Sequence, residues 1–229
     1  MRSKKQFVDK ENFTAISKRS NPERVLKRKY RQKLAKGFIS GLKTLLGPDH
    51  VCVDCGANVG EITGTLAQTG AQVHAFEPDP YSFGELTRKF GDTPNVHLYN
   101  KAVGVGSGTI NIYRKKSFDE DQQWNSLTTT TILNEKSEQG LEAVEIEKID
   151  LEAFLLDILK TQEIAFLKMD IEGAELEILE RLVQTDIFTK IRATAVEIHP
   201  WMFPGQNRFK ALRQISSERL DFNLNLDWY

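Results

Sequence analysis

The residues best suited to chemistry fall in three short segments, each at the end of an apolar run. In residues 51–60, VCVDCGANVG, the run ends at Asp54 and a loop follows carrying Gly56, Ala57, Asn58 and Gly60. In residues 73–80, VHAFEPDP, it ends at Glu77, with Asp79 two residues on. In residues 164–180, IAFLKMDIEGAELEILE, it ends among Lys168, Asp170 and Glu172. An acid closing a second strand can accept hydrogen bonds from two ribose hydroxyls. The glycine spacing then selects the ligand class. A dinucleotide loop reads G-x-G-x-x-G and sets backbone N–H groups against a pyrophosphate. This loop reads G-x-x-x-G, with Asp54 at its mouth. A carboxylate there repels phosphate and suits a ligand carrying an ammonium and a sulfonium. Those are the charges of S-adenosylmethionine, which has no phosphate, and it is the expected cofactor.

The third segment could supply the reaction. In a strand, Lys168, Asp170 and Glu172 share one side, while Leu167, Met169 and Ile171 share the other. Charges at the end of an apolar strand are costly unless they are paired or used. In open α/β sheets, that end of the strand is where ligands bind. Gly173 permits a sharp turn into a helix, and Glu175 falls in the first turn, where the helix dipole favours an acid. Glu197 and His199 close another apolar run, ATAVEIHP. Glu197 in a central strand needs a cationic partner such as Lys168. Of the four histidines, His199 stands nearest the expected cleft, and His50, His74 and His97 read as structural. Methyl transfer from such a cofactor needs alignment of the acceptor, which can supply about 7–11 kcal/mol, and a positioned base, which adds about 10²–10⁴ in rate. Asp170 is the first choice for contacting or deprotonating an acceptor, followed by His199 and Glu172, with Lys168 beside them. Asp170 and Glu172 could instead ligate a divalent ion. Two carboxylates do not establish a metal site, and none is assigned.

These residues need a scaffold of alternating strands and helices, which predicts a parallel sheet. Strands are expected at 51–54, 73–76, 96–99, 164–170 and 193–198, and helices at about 59–69, 80–90, 151–160 and 174–184. Asn21-Pro22-Glu23 has the form of a helix start, and Gly47-Pro48 ends that helix. Its apolar positions Leu26, Tyr30, Leu34, Phe38, Leu42 and Leu45 form a stripe expected to pack on the body. Gly104 to Gly108 reads as a turn between strands. Residues 116–137, which hold Trp124 and a run of four threonines, read as a lid or substrate loop. Residues 207–220 read as a helix, and 221–226 as a last strand. The chain thus divides into a basic arm and helix, 1–48, and a catalytic domain, 49–229.

Charge separates these two parts. Residues 1–36 hold 13 Lys/Arg against 3 Asp/Glu, a balance of +10 in a chain of net charge −1, so the remainder carries −11. Such an arm suits an anionic partner, such as a lipid surface or nucleic acid, or it pairs with the acidic body. No apolar run approaches the roughly 20 residues that span a bilayer, and the basic start lacks the apolar core of a signal peptide. Cys52 and Cys55 are spaced C-x-x-C, yet three residues along a strand puts them on opposite sides. They read as packing residues, and a reducing, cytoplasmic setting is the expectation.

The pattern D-x-G-A-N-x-G, then FEP, Asn100, K-x-D-x-E-G-x-E and E-I-H resembles the FkbM-type methyltransferases over about residues 51–199. The resemblance implies a Rossmann-like class I methyltransferase: an α/β fold with a mostly parallel central sheet and helices on both faces, preceded here by an N-terminal helix. It also implies O-methylation of a hydroxyl on a sugar, polyketide or related metabolite. Asp54, Gly56, Ala57, Asn58 and Gly60 would cradle the methionine end of S-adenosylmethionine. Glu77 would take the ribose, with Asp79 and Asn100 near the adenine, while Lys168, Asp170, Glu172 and Glu175 would line the reaction end. After Glu197 the chain is short for a seven-stranded sheet. Three rivals remain. An RNA 2′-O-methyltransferase fits Lys168, Asp170, Glu197 and the basic arm, but the acidic body and the lack of an RNA-binding module disfavour it. A nicotinamide-dependent oxidoreductase conflicts with the loop spacing and Asp54. A non-catalytic S-adenosylmethionine-binding protein leaves the charged cluster without a use.

Overall fold

The computed structural model describes residues 22–115, 141–199, 207–226 and 228. In chain order the elements are α1 (Pro22–Lys43), β1 (Val51–Cys55), α2 (Glu61–Ala67), β2 (Gln72–Phe76), α3 (Pro80–Phe90), β3 (Val96–Tyr99), β4 (Ala102–Gly104) and β5 (Gly108–Lys115). Then come β6 (Leu141–Asp150), α4 (Leu151–Ile158), β7 (Ile164–Met169), α5 (Glu175–Leu182), a 3₁₀ turn (Ile187–Thr189), β8 (Thr194–Val196), α6 (Asn207–Glu218) and β9 (Leu224–Asn225).

Every residue of β1 and of β7 is buried, as central parallel strands require. The main sheet has six strands in the order β3-β2-β1-β7-β8-β9, all parallel. Strand order reverses between β1 and β7, which opens a crevice at their C-terminal ends. Side chains alternate across the sheet. Val53, Cys55 and Leu167 join α4, α5 and α6 on one face. Cys52, Val73 and Phe166 join α1 and α2 on the other, where α3 packs through Leu86. The two cysteines are therefore free, buried and on opposite faces. Burial, with the charge of Asp54, pushes the Cys52 thiol up to about 12.

Two expectations change. Residues 141–150 form a ten-residue strand, β6, that the sequence reading left unassigned. It carries a charge at nearly every second position and buries only Ile146 fully, so its apolar signal is weak. β6 pairs parallel with β4 and antiparallel with β5, building a second sheet in the order β4-β6-β5. The glycine turn does lie between strands, but it carries the chain past β6 rather than closing a hairpin. The second change concerns α1. Ala35, Ile39 and Leu42 are the residues that pack on the sheet, whereas Leu26, Tyr30, Leu34 and Leu45 are exposed. The expected packing of the whole stripe is thus wrong, because the body occupies a different side of the helix. The proposed arm tip at 1–20 and the loop at 116–137 lie outside the described residues.

Phe166 joins α1 and the chain end to the sheet, with its ring 5.8 Å from Phe38 and 6.3 Å from Trp228. Phe166→Ala should lower the unfolding free energy by about 3–5 kcal/mol, as for other large aromatic truncations. Urea titration of both proteins checks this, and a loss below about 1 kcal/mol would show that this contact does not hold α1 in place.

Candidate active site

The loop after β1 is built by close approaches that only small residues allow. Gly56 has φ +77°, and a Cβ there would lie 1.8 Å from the carbonyl oxygen of Asp170. Glycine is what lets this loop press against the end of β7. Gly60 has φ +87°, and its bare Cα admits the Phe90 ring and Leu86. The N–H groups of Gly56 and Ala57 both donate to the Phe76 carbonyl at 2.9 Å. Ala57 packs with Ala75 and Leu86. Asn58 adopts a left-handed φ of 50°, and its Oδ1 accepts from the Val59 N–H at 2.7 Å.

Glu77, Asp79 and Asn100 first of all shape the second loop. Glu77 accepts from the Asn58 N–H at 2.7 Å on one oxygen and from the Asp79 N–H at 2.8 Å on the other. Burial lifts its carboxyl to about 7, and these two hydrogen bonds work against that rise. Asp79 caps α3, its Oδ1 accepting from the Tyr81 and Ser82 N–H groups at 3.0 Å, with Pro80 at the first helical position. Its Oδ2 is buried without a hydrogen-bond partner. Asn100 Nδ2 donates to the carbonyls of Glu77 and Pro78 at 2.9 and 3.1 Å.

Lys168 ties the crevice together. Its Nζ donates to the Gly56 carbonyl at 2.6 Å and lies 3.4 Å from Asp54 Oδ1 and 3.7 Å from Asp170 Oδ2. Burial alone would lower the Lys168 pKa, but the charges of Asp54 and Asp170 outweigh it and raise it. The expected partner Glu197 is not one of its ion pairs. Asp54 is fully buried beneath the loop rather than open at its mouth, and its Oδ2 accepts from the Thr63 hydroxyl at 2.7 Å. Its charge therefore acts on the loop through Lys168.

The second cluster surrounds His199. Its Nδ1 hydrogen-bonds to Oε1 of the fully buried Glu175, and since a carboxylate only accepts, Nδ1 carries the proton. Glu175 Oε2 accepts from the Gly173 N–H at 2.9 Å, which fixes the turn into α5. His199 Nε2 faces Glu172 at 3.4 Å, Asp170 at 3.9 Å and Glu197 at 4.0 Å. Burial pushes the imidazole down, but the hydrogen bond and charge of Glu175, with Glu172 and Asp170, hold it up at about 9. Burial raises Glu172 to about 7 despite the nearby imidazole, and burial together with Asp170 raises Glu197 as well. Glu172 sits at φ +49°, a left-handed conformation uncommon for glutamate.

The residues expected at the site thus lie on the loops and strand ends at one edge of the sheet. Asp170, Glu172 and His199 bring ligand atoms within 4.8 Å of one another, a set with the donor types for a divalent ion. With Nδ1 bonded to Glu175, Nε2 is the ring atom that faces the two carboxylates. Sequence reading missed Thr63 and the pairing of Glu175 with His199. The one signal for Thr63 was a hydroxyl on the buried side of a short helix. At the opposite edge, a cavity of about 480 Å³ is lined by His50, His74 and His97 among others. There His74 bonds Tyr99 and His97 bonds Gln72, so these histidines do serve the structure.

The titrations of the crevice share one sign, whereas His74, lowered by burial to about 4, has the opposite one and gains stability as pH rises to 6.5. The His199 pKa is raised from 6.5 to about 9, so its stabilisation is complete below 6.5 and is lost as pH rises through 9. Glu77 and Glu172 are raised from 4.5 to about 7, so their contribution is complete below 4.5 and is lost as pH rises through 7. The ligand-free protein should therefore lose melting temperature between about pH 6.5 and 9, above the range in which His74 opposes the fall, and Glu172→Gln should flatten the first part of it. Calorimetry across this range tests it, and a melting temperature that rises with pH would contradict the assigned burial.

The profile of the methyltransferase FkbM domain matches residues 54–224. Hexuronic acid methyltransferase AglP of Haloferax volcanii is 27% identical over 181 residues, covering 79% of this chain and 69% of that protein. Ribosomal RNA small subunit methyltransferase A of Thermotoga maritima is 35% identical over 82 residues, covering 34% of this chain and 29% of that protein. Among solved structures, a TehB-like SAM-dependent methyltransferase from Corynebacterium glutamicum aligns over 85% of this chain and 84% of its own, at 11% identity and a TM-score of 0.37. The domain match takes in the loop after β1, the second loop and both charged clusters, and on that ground the chain belongs to the FkbM methyltransferase family.

Proposed function

We propose that the chain transfers a methyl group from S-adenosylmethionine to a hydroxyl of a sugar or related metabolite. The observation that carries this reading is the acceptor-rich crevice. Asp79 Oδ2 is buried without a hydrogen-bond donor, each Glu77 oxygen accepts only one backbone N–H, and Asp170 and Glu172 keep part of their carboxylates exposed. Such a surface fits a cofactor whose ammonium, ribose hydroxyls and adenine amino group all donate. Gly56, Ala57, Asn58 and Gly60 would form the wall at the methionine end, with Asp54 beneath them acting through Lys168. Glu77 would hold the ribose, and Asp79 and Asn100 the adenine end. The relative AglP, named for a sugar acid, supports a sugar-like acceptor.

When bound, the cofactor supplies a sulfonium methyl carbon open to in-line attack, which leaves a neutral thioether. The protein must then orient the acceptor and take its proton. Asp170 is fixed between Lys168 and His199, yet its side chain remains 28% exposed at the crevice, which suits it to contact the hydroxyl. Glu172, lifted to about 7, has the proton affinity of a base at neutral pH. His199, held protonated, suits a donor that orders these carboxylates better than it suits a base. The partial match to a ribosomal RNA enzyme keeps RNA as a second acceptor class.

Calorimetric titration should show binding of S-adenosylmethionine and its demethylated product but not of NAD. Glu77→Ala should weaken that binding by about 1.5–3 kcal/mol, the value of hydrogen bonds to a charged acceptor. Unchanged affinity in a folded variant would remove Glu77 from the ribose. Asp170→Asn should keep the fold and much of the cofactor affinity while cutting turnover about 10²-fold or more. A destabilised but fully active variant would instead make Asp170 purely a partner of Lys168. Mass spectrometry of a metabolite extract incubated with enzyme and cofactor should reveal a gain of one methyl. Label appearing in the RNA fraction alone would replace the sugar reading with the RNA one.

A further inference from the structure

The apolar stripe of α1 faces away from the sheet except at Phe38, whose ring meets Phe166. Leu26, Tyr30, Leu34 and Phe38 recur every fourth residue and are 68%, 62%, 54% and 37% exposed. At 100° per residue they cover about a third of the helix circumference. The sheet occupies another side, through Ala35, Ile39 and Leu42. Phe38 marks where the two meet, since its ring also stands edge-on to Trp228 at 5.7 Å. Beside the stripe, Lys29, Arg31, Lys33 and Lys36 are all exposed. Pro22–Lys43 as a whole holds eight Lys/Arg against one acid.

We propose that this face of α1 lies on an anionic lipid surface. A helix with an apolar stripe, basic flanks and low mean hydropathy is the form that beds into the headgroup boundary without crossing it. No described helix is long and apolar enough to cross a membrane, which limits α1 to the interface. Tyr30 has the amphipathic ring that such boundaries favour. Charge selects the occupant. A second copy of the same helix would bring two strongly basic segments together against their repulsion. A nucleic acid would use the lysines and arginines but leave the four apolar side chains in water. An anionic bilayer uses both sets at once. This inference is independent of the methyl-transfer reading, because α1 supplies no residue to the crevice.

The test is sedimentation of the full chain with vesicles of phosphatidylcholine alone and with about one quarter phosphatidylglycerol. The chain should pellet with the anionic vesicles at least about tenfold more tightly, and the gain should fall in roughly 0.5 M salt, where screening shortens to a few ångströms. Leu26→Ser with Leu34→Ser leaves the charge unchanged and should cost about tenfold in vesicle affinity. Lys29→Gln, Lys33→Gln and Lys36→Gln together should cost a similar factor and weaken the salt dependence. All five positions are exposed, so an unchanged melting temperature would report an intact fold. Failure of the unaltered chain to prefer anionic vesicles overturns the proposal. So does a serine pair that binds as well as the original. A dimer that dissociates in the serine pair would assign the stripe to a second copy, and tighter binding to RNA than to vesicles would assign the arm to nucleic acid.

Discussion

A single buried ammonium organises this protein. Lys168 stands at the end of β7, where strand order reverses, and its Nζ reaches the Gly56 carbonyl, Asp54 and Asp170. A buried cation must be neutralised, and removing one partner of such a pair typically costs about 3–5 kcal/mol. The requirement locks three pieces of chain to one another. Asp54 ends the apolar part of β1, Gly56 begins the loop, and Asp170 follows β7. Thr63 adds a helix to the group through Asp54. The loop can come this close because Gly56 has no Cβ to meet the Asp170 carbonyl.

The acidic cluster around His199 is held on the same frame. Asp170 belongs to both groups, paired with Lys168 on one side and facing His199 on the other. Glu175 starts α5 and grips both the His199 ring and the Gly173 N–H, so the turn and the imidazole are set by one side chain. Glu172 lies between them in a left-handed conformation. Strain of this kind persists only where surrounding contacts determine it, and it concentrates at functional sites. The crevice therefore gathers more carboxylates than cations. That imbalance favours donor-rich ligands and repels phosphate, in agreement with the glycine spacing of the first loop.

The remaining elements leave this edge free. The second sheet, β4-β6-β5, is built around a strand of its own and packs through Ile112 and Ile146. On the opposite edge, the histidines are bonded to neighbouring side chains. On one face, α1 holds on by Ala35, Ile39 and Leu42 and turns its apolar stripe outward. The acidic crevice and a basic helix thus occupy separate parts of one chain, with opposite charge.

Much was legible in the sequence because it is local. The apolar run, G-x-x-x-G loop and Glu77 make a βαβ unit from contiguous residues, and hydrophobic period places its strands to within a residue or two. β6 escaped because its exposed face is charged and its buried face is nearly reduced to Ile146, leaving little period to read. The partners of charged groups were not legible at all. Lys168 finds Gly56 across 112 positions and His199 finds Glu175 across 24. Nothing in residue type distinguishes Glu197 from Asp54 as a partner for Lys168. Residue types and spacing by themselves determined the fold class and the strand ends at which the charged residues gather. Only the tertiary structure decided which carboxylate neutralises which cation, and which side of α1 stays in solvent. Pairing is settled by distance after the sheet has closed, and helical period reveals an apolar stripe without revealing what will cover it.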